Sequence, residues 1–296
     1  MLVVYMNKNI VLKDKFNFWV IPRLVLFLIL PNIFTTPLRI FVEGYIYGKT
    51  GAPAFVTPGF LIYGFCAELI FGVGYMLFGY LLPVKNTVLR AFSYMTLILV
   101  SSYLPNIFAM AGGDGELIAS SFSLGIVVVD IVSYLLKGLI LGLLFKNYDV
   151  EKSFSVLPVN TKKFIVLSLI NGLLFAALNY LTDIAAGALD RSWRLCSILQ
   201  VSEAAESRFY IVFIIFMFVA GFLLTLWNRY CFPEKTSATE AIFYAIKLSS
   251  VVWLPNVLIM AFFGASFVKT FVYGAFYVLM FIACVLAYKK ANSLIK

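Results

Sequence analysis

Two acidic side chains lie well inside long apolar stretches of the sequence, where an ionised group is costly. These residues, Glu68 and Asp130, each lie about nine positions from the start of their apolar stretch, and we expect them at similar depths in the membrane. Ionisable residues at such depth face a bundle interior or a wet cavity, and they typically mark proton or ion sites. We therefore predict Glu68 and Asp130 as proton- or cation-binding residues. Lys137 shares a helical face with Asp130, but at about 10 Å it is too far for a direct pair. Two interpretations stay open: Lys137 binds Asp130 through water, or its side chain extends to the membrane surface.

The tripeptide Leu-Pro-Asn occurs twice, at residues 104–106 and 254–256. Because Pro105 and Pro255 lack a backbone donor, each is predicted to kink the helix that contains it. The carbonyl groups that lose their partners need a neighbour, and Asn106 and Asn256 are suited to that role. Two interpretations stay open. The motifs are either broken helices that face each other across a substrate path, or inherited packing kinks in which each asparagine bonds an adjacent helix.

Both motifs belong to a longer internal repeat. Ten of the 32 residues from Tyr80 to Ala111 recur without gaps at an offset of 150 residues. Self-similarity at a fixed spacing indicates a duplicated unit. We therefore expect two repeats, residues 1–150 and residues 151–296.

The composition is that of a membrane protein. Of 296 residues, 62% are hydrophobic and 12% are charged, whereas a soluble domain is nearer a quarter charged. A membrane-spanning helix needs about 20 apolar residues. Eight segments meet this requirement, and they are predicted at about 20–43, 59–82, 89–112, 121–145, 164–187, 209–229, 240–263 and 270–288.

These segments define the predicted fold class, an all-α polytopic membrane protein with eight transmembrane helices in two tandem four-helix repeats. An even number of spans per repeat gives the repeats a parallel orientation, with a pseudo-twofold axis along the membrane normal. Basic residues precede the odd-numbered segments, as the positive-inside rule requires for cytoplasmic loops: Lys13, Lys15, Lys85, Arg90, Lys162, Lys163, Arg229 and Lys235. We therefore predict a multi-pass protein of the cell (inner) membrane with both termini in the cytoplasm.

The connection at residues 188–208 mixes charged residues with Trp193, Leu195 and Leu199. This mixture fits a short helix in the membrane interface, and it fits a plain connecting loop equally well.

Several classes of function are disfavoured. The chain has no His and only four Cys, which are far apart, so no metal site or cofactor is predicted. The net charge of +9 comes from basic residues between apolar segments, and no nucleic-acid partner is predicted. Asn179, Asp183 and Asp190 share a helical face, as in the Asn/Asp-rich motifs with which intramembrane prenyltransferases hold magnesium and diphosphate. No second aspartate-rich motif follows them, so the chain is not predicted to be an enzyme.

One pattern resembles a known family. Lys85 and Arg90 precede the run Ser-Ser-Tyr-Leu-Pro at residues 101–105, and Lys235 precedes Val-Val-Trp-Leu-Pro at residues 251–255. A basic loop followed by a helix with a small or aromatic run before a proline is similar to bacterial Yip1-type membrane proteins. The resemblance covers about thirty residues of each repeat. It implies a membrane-organising or trafficking-related protein without catalysis.

The sequence thus favours a non-enzymatic permease, or the membrane subunit of a transporter, with its path at the repeat interface. The candidate binding residues are Glu68, Asp130, Asn106, Asn256 and Lys137. The first alternative is a membrane-organising protein of Yip1 type, and the second is an intramembrane lipid-modifying enzyme. Expected partners are membrane lipid and, beyond it, other membrane proteins or a second copy of the chain.

Overall fold

The computed structural model describes residues 18–42, 44, 58–114, 124–146, 160–232, 237–263 and 266–295. Every regular element within these ranges is helical, which confirms the predicted all-helical fold for this part of the chain. The predicted basic positions Lys13, Lys15 and Lys235 lie outside the described residues.

Within the described ranges, eight long helices form the bundle. They are α1 (Val20–Phe41), α2 (Pro58–Phe78), α3 (Thr87–Met110), α4 (Leu124–Leu144), α5 (Thr161–Leu189), α6 (Glu203–Cys231), α7 (Ala238–Val252 and Leu254–Leu258) and α8 (Phe267–Leu294). Among the described residues, six of these helices are long and apolar enough to cross a membrane, and α7 is a seventh if its two parts form one span. The described apolar part of α2, Ile62–Phe78, is shorter. The structure thus supports a multi-pass membrane protein with six or seven candidate spans, and it does not confirm eight.

Short polar side chains start most of these helices. The Asn86 side chain accepts hydrogen bonds from the first turn of α3, and Asn160 does the same for α5. Ser202 caps α6, and Ser237 forms a reciprocal capping box with Glu240 at the start of α7. Such caps satisfy backbone donors that have no partner within the helix, and they fix where each helix leaves its connecting loop.

The helices cross the bundle in alternating directions. At one end, the Thr87 hydroxyl donates to the Lys146 carbonyl at 3.2 Å, and Lys163 Nζ donates to the Asn292 carbonyl at 2.8 Å. The starts of α3 and α5 therefore lie beside the ends of α4 and α8. The described basic residues Lys85, Lys162, Lys163 and Arg229 lie at this end, which is referred to below as the predicted cytoplasmic end.

The opposite end, the predicted outer end, joins the two halves of the chain. Arg208 Nε donates to the Gly112 carbonyl at 2.9 Å, and Ser202 donates to Asp114 through its amide at 2.9 Å and its hydroxyl at 2.5 Å. The two bonds from Ser202 hold the pKa of Asp114 below its ordinary value. They fix the loop after α3 to the start of α6.

The core lies between the two halves. Trp227 of α6 packs edge-on against Tyr94 of α3 and Phe78 of α2, with ring centroids 5.7 and 5.9 Å apart. Phe78 also meets Tyr244 of α7 at 6.0 Å. Edge-to-face aromatic packing of this kind contributes beyond the area it buries, and it holds α2 and α3 against α6 and α7.

Helix α1 is peripheral. Its main contacts among the described residues are with α2 and α4, and its buried residues are Val20, Phe27 and Pro31. Most of its large apolar side chains are exposed, as expected for a helix that faces lipid.

Candidate functional site

A cavity of about 50 Å³ lies between α3 and α7 near the predicted outer end. Asn106 and Ala109 of α3 line it, together with Trp253, Asn256 and Met260 of α7. This space is enough for a few waters. The structure therefore brings the two sequence-predicted asparagines to one cavity.

Ser102 connects the two Leu-Pro-Asn motifs below this cavity. Its backbone carbonyl accepts a hydrogen bond from Asn106 Nδ2 at 2.8 Å, and its hydroxyl oxygen accepts one from Asn256 Nδ2 at 2.6 Å. The Ser102 hydroxyl donates to the Val252 carbonyl at 2.5 Å. Ser102 and Val252 are separated by 150 residues, which is the spacing of the sequence repeat.

The two prolines are accommodated in different ways. Pro105 and Pro255 are both buried. Before Pro105, residues 99–103 form a π-helical turn, and α3 continues as one span. Helix α7 breaks at Trp253 and bends by 53°. The kink predicted at Pro255 is present, whereas at Pro105 a wider turn takes up the missing donor.

Residues 190–202, which we name the cap segment, close the cavity from the predicted outer end. The segment holds a short turn, Arg191–Trp193, and a short helix, Leu195–Ile198. Leu195, Ile198 and Leu199 are buried and line the cavity. The structure therefore contains a short helix in this region, as the first interpretation expected, and this helix packs on the bundle.

Asp183, near the end of α5, anchors the cap segment. Its fully buried carboxylate accepts a hydrogen bond from the Leu195 amide at 2.6 Å and one from the Tyr210 hydroxyl at 2.5 Å. Arg194 Nε lies 3.3 Å from the same carboxylate. The Tyr273 hydroxyl, 3.2 Å from Asp183, donates to the Trp193 carbonyl at 2.6 Å.

Arg194 extends this anchor to α6. Its NH1 lies 2.7 Å from Glu206 Oε1, and its guanidinium stacks 4.7 Å from the centre of the Tyr210 ring. The sequence did not indicate this cluster, because Asp183 was considered only as part of a metal-binding motif. The available signal was the presence of opposite charges, among them Arg194 and Glu206, in the same connection.

The residues considered as a metal-binding motif do not converge. Asn179 Nδ2 donates to the Phe175 carbonyl, Asp183 holds the cap segment, and Asp190 accepts from the Ser192 amide at 2.8 Å. Bonds from Ser192 keep the pKa of Asp190 below its ordinary value. Within the described ranges, no three His, Cys, Asp or Glu side chains are grouped as metal ligands.

Four aromatic rings form the floor of the cavity at the bend of α7. Trp253 packs against Phe175 of α5 at 5.0 Å, and against Tyr277 and Phe281 of α8 at 5.5 and 6.0 Å. Trp253 is almost fully buried and lines the cavity. We name these four residues the aromatic floor. They separate the cavity from the part of the bundle nearer the predicted cytoplasmic end.

Glu68 belongs to a first polar cluster within α1–α4. It is fully buried, accepts from Asn32 Nδ2 of α1 at 2.8 Å and lies 3.4 Å from Lys137 Nζ of α4. For Lys137 the sequence left open a contact with Asp130 through water. In the structure it turns to Glu68 on the neighbouring helix, which the spacing within α4 could not reveal.

Asp130 belongs to a second polar cluster. It lies 3.4 Å from Arg39 of α1 and accepts a hydrogen bond from the Tyr103 hydroxyl of α3. Asp130 and Lys137 are two turns apart on α4, about 10 Å along its axis, so the two acids have different cationic partners at different levels. Neither Glu68 nor Asp130 lines the cavity at Asn106 and Asn256.

The two parts of the candidate site meet in the π-helical turn of α3. The Ser102 hydroxyl donates to the Val252 carbonyl of α7, and the hydroxyl of its neighbour Tyr103 donates to Asp130 of α4. A change in this turn would therefore reach both the cavity and the Asp130 cluster.

Compared with known protein families, with curated protein sequences and with solved structures, the chain shows no significant match.

Proposed function

We propose that the chain is an integral membrane permease, or the membrane subunit of a transporter, whose path runs between two four-helix units. The observation that carries the proposal is the cavity shared by Asn106 and Asn256. Transporters with internal repeats commonly bind their substrates at the repeat interface, beside interrupted helices. The cavity lies beside the π-helical turn of α3 and the break of α7.

The positions of the helix ends support a duplication. An offset of 150 residues relates the end of α4, Leu144, to the end of α8, Leu294. The same offset relates Leu81, at the end of the turn after α2, to Cys231, at the end of α6. It also relates Tyr103, at the end of the π-helical turn of α3, to Trp253, where α7 breaks. The packing pattern repeats as well, because α4 packs on α1 and α3 as α8 packs on α5 and α7. Two parallel units with a pseudo-twofold axis near Ser102 and Val252 account for both observations.

Two closures bound the proposed path. The cap segment covers the cavity at the predicted outer end, and the aromatic floor covers it on the other side. In alternating access, one closure opens while the other stays shut. Movement of the cap segment would admit solute from outside, and movement of Trp253 would release it inward.

Glu68 and Asp130 are the proposed proton or cation sites of this permease. Both are buried beneath α1, which packs loosely enough to expose most of its surface. Tyr103 bonds Asp130 and is adjacent to Ser102, so a change of charge at Asp130 has a short route to the cavity.

The proposed location is the cell (inner) membrane, with both termini in the cytoplasm. Within the described ranges, Lys162, Lys163, Lys289 and Lys290 lie at one end of the bundle. The other end balances Arg194 and Arg191 with Glu206 and Glu203. This asymmetry fits the positive-inside rule.

The test uses the cavity residue Ala109 as a reporter. In a variant whose four cysteines are replaced by alanine, Ala109→Cys is labelled with a membrane-impermeant maleimide, in intact cells and in inverted vesicles. A permease exposes this position alternately to both sides, so labelling is expected in both preparations. Met260→Cys serves as a second reporter, and Ile215→Cys, on the exposed face of α6, is the lipid-facing control expected to stay unlabelled.

The same reagent reports orientation, because Ser197→Cys on the exposed face of the cap segment is labelled in intact cells only if this end faces outward. Labelling of Ala109→Cys and Met260→Cys from one side only, or from neither, would contradict the permease. A Yip1-type membrane-organising protein would then be the better reading.

A further inference from the structure

Five buried side-chain oxygens in α5, α6 and α7 have no hydrogen-bond partner within the described part of the chain. They are Ser168 Oγ, Asn171 Oδ1, Asn179 Oδ1, Asn228 Oδ1 and the Tyr244 hydroxyl. A buried polar atom without a partner costs about 1–3 kcal/mol. In native proteins such atoms are nearly always satisfied, often by internal water.

Four of the five oxygens lie on one side of the aromatic floor. Ser168 and Asn171 precede Phe175 on α5, which runs from the predicted cytoplasmic end. Tyr244 precedes Trp253 on α7 by nine residues, or about 13 Å of helix. These positions put the oxygens between the aromatic floor and the predicted cytoplasmic end.

The pairing of α5 with α6 places the fourth oxygen near the first two. Asn171 Nδ2 donates to the Gly221 carbonyl at 2.6 Å, and the Arg229 guanidinium lies 5.2 Å from the Phe164 ring. In this antiparallel register Ser168 falls opposite the turn that precedes Asn228. Ser168, Asn171 and Asn228 therefore lie within about two helical turns of one another.

Tyr244 lacks the hydrogen bond that its counterpart in the first repeat makes. Its counterpart Tyr94 donates to the Phe71 carbonyl at 3.0 Å. The carbonyl equivalent to that of Phe71 belongs to Gly221, and it accepts instead from Asn171 Nδ2. The Tyr244 hydroxyl is thereby left for another partner.

We propose that Ser168, Asn171, Asn228 and Tyr244 line a hydrated track from the predicted cytoplasmic end to the aromatic floor. Their unpartnered atoms are all oxygens, two amide carbonyls and two hydroxyls, and such atoms bind water and small monovalent cations. An anion is disfavoured, because the amide oxygens cannot donate. The role of the track as the inner half of a transport path rests on the proposed permease, whereas its hydration does not.

The test uses Ag⁺, a monovalent cation that binds thiolates. Ser168→Cys and Asn228→Cys are made separately in the cysteine-free variant. Inverted vesicles are exposed to Ag⁺ in chloride-free buffer, and the thiols that remain are then alkylated after denaturation. The control is Leu141→Cys, which is fully buried and lies three residues before the end of α4, as Asn228 lies three residues before the end of α6.

A hydrated thiol ionises and reacts, whereas a thiol in apolar packing does not. Ser168→Cys and Asn228→Cys should be protected by Ag⁺ at least about tenfold faster than Leu141→Cys, the ratio that one pKa unit gives. Rates equal to that of Leu141→Cys in both variants would overturn the track. Fast protection together with one-sided labelling of Ala109→Cys would keep the track and overturn the permease.

Discussion

At the scale of single residues, the buried charges constrain one another through their contacts. Glu68 is fully buried, and only Lys137 and the Asn32 amide contact its carboxylate among the described residues. The energetic value of such a pair lies less in its attraction than in the cost of leaving one charge alone. The pair should therefore behave as a unit under mutation.

Lys137→Met should lower the free energy of unfolding by about 3–5 kcal/mol, because it leaves Glu68 without its cation. Glu68→Gln combined with Lys137→Met removes both charges and should cost clearly less. Thermal unfolding in detergent measures the stability of the single and the double variant. Lys247→Met, at an exposed position on α7, is the control expected to have little effect. A double variant less stable than Lys137→Met alone would refute the pairing.

The sequence indicated which residues are buried charges but not which residues they meet. Glu68 and Asp130 stood out because apolar residues surround them. Arg39 and Asn32 did not, because whether α1 turns these side chains toward α2 and α4 depends on tertiary packing. The same limit explains Asp183, whose burial depends on a cap segment that folds back on the bundle and has no periodic signal.

At the scale of helices, close packing depends on glycine at one crossing in particular. Gly221 of α6 lies against α5, and a β-carbon there would come within 2.8 Å of the Asn171 carbonyl oxygen and 3.0 Å of the Gly172 Cα. Small residues let membrane helices approach closely. On α2, by contrast, a β-carbon at Gly64 would have no neighbour within 4 Å.

Gly221→Ala should therefore lower the free energy of unfolding by about 1–3 kcal/mol, because backbone atoms of α5 cannot move aside cheaply. Gly64→Ala should leave stability unchanged or raise it by up to about 1 kcal/mol, since alanine favours the helix. Thermal unfolding of the two variants in the same detergent compares them. Equal effects of the two substitutions would contradict the close crossing of α5 and α6.

Apolar segment length predicted the positions of the helices well, because about 20 apolar residues in a row have few alternatives to a helix. It did not predict how proline would be absorbed. Pro105 and Pro255 occur in the same tripeptide, yet α3 widens into a π-helical turn while α7 bends by 53°. The difference comes from the surroundings: Ser101 before Pro105 is held by Trp227 Nε1 at 3.0 Å, a contact between the two halves that no local pattern encodes.

At the scale of the whole molecule, the proposed permease has two units joined at Ser102 and closed by the cap segment. Replacing Arg194 should weaken the contact of the cap segment with the bundle while leaving the other bonds of Asp183 in place. Without its guanidinium, Asp183 still accepts from the Leu195 amide and the Tyr210 hydroxyl. Arg191 on the same segment pairs with Glu203 at 3.4 Å, but both side chains are largely exposed, and such pairs contribute little.

The most direct test of the central claim combines Arg194→Gln with the Ala109→Cys reporter. If the cavity opens to one side at a time, loosening the outer closure must favour the outward-open state at the expense of the other. Maleimide labelling in intact cells should rise and labelling in inverted vesicles should fall, each by about fivefold or more, while Arg191→Gln changes neither. Labelling that rises on both sides, or does not change on either, would contradict alternating access through this cavity.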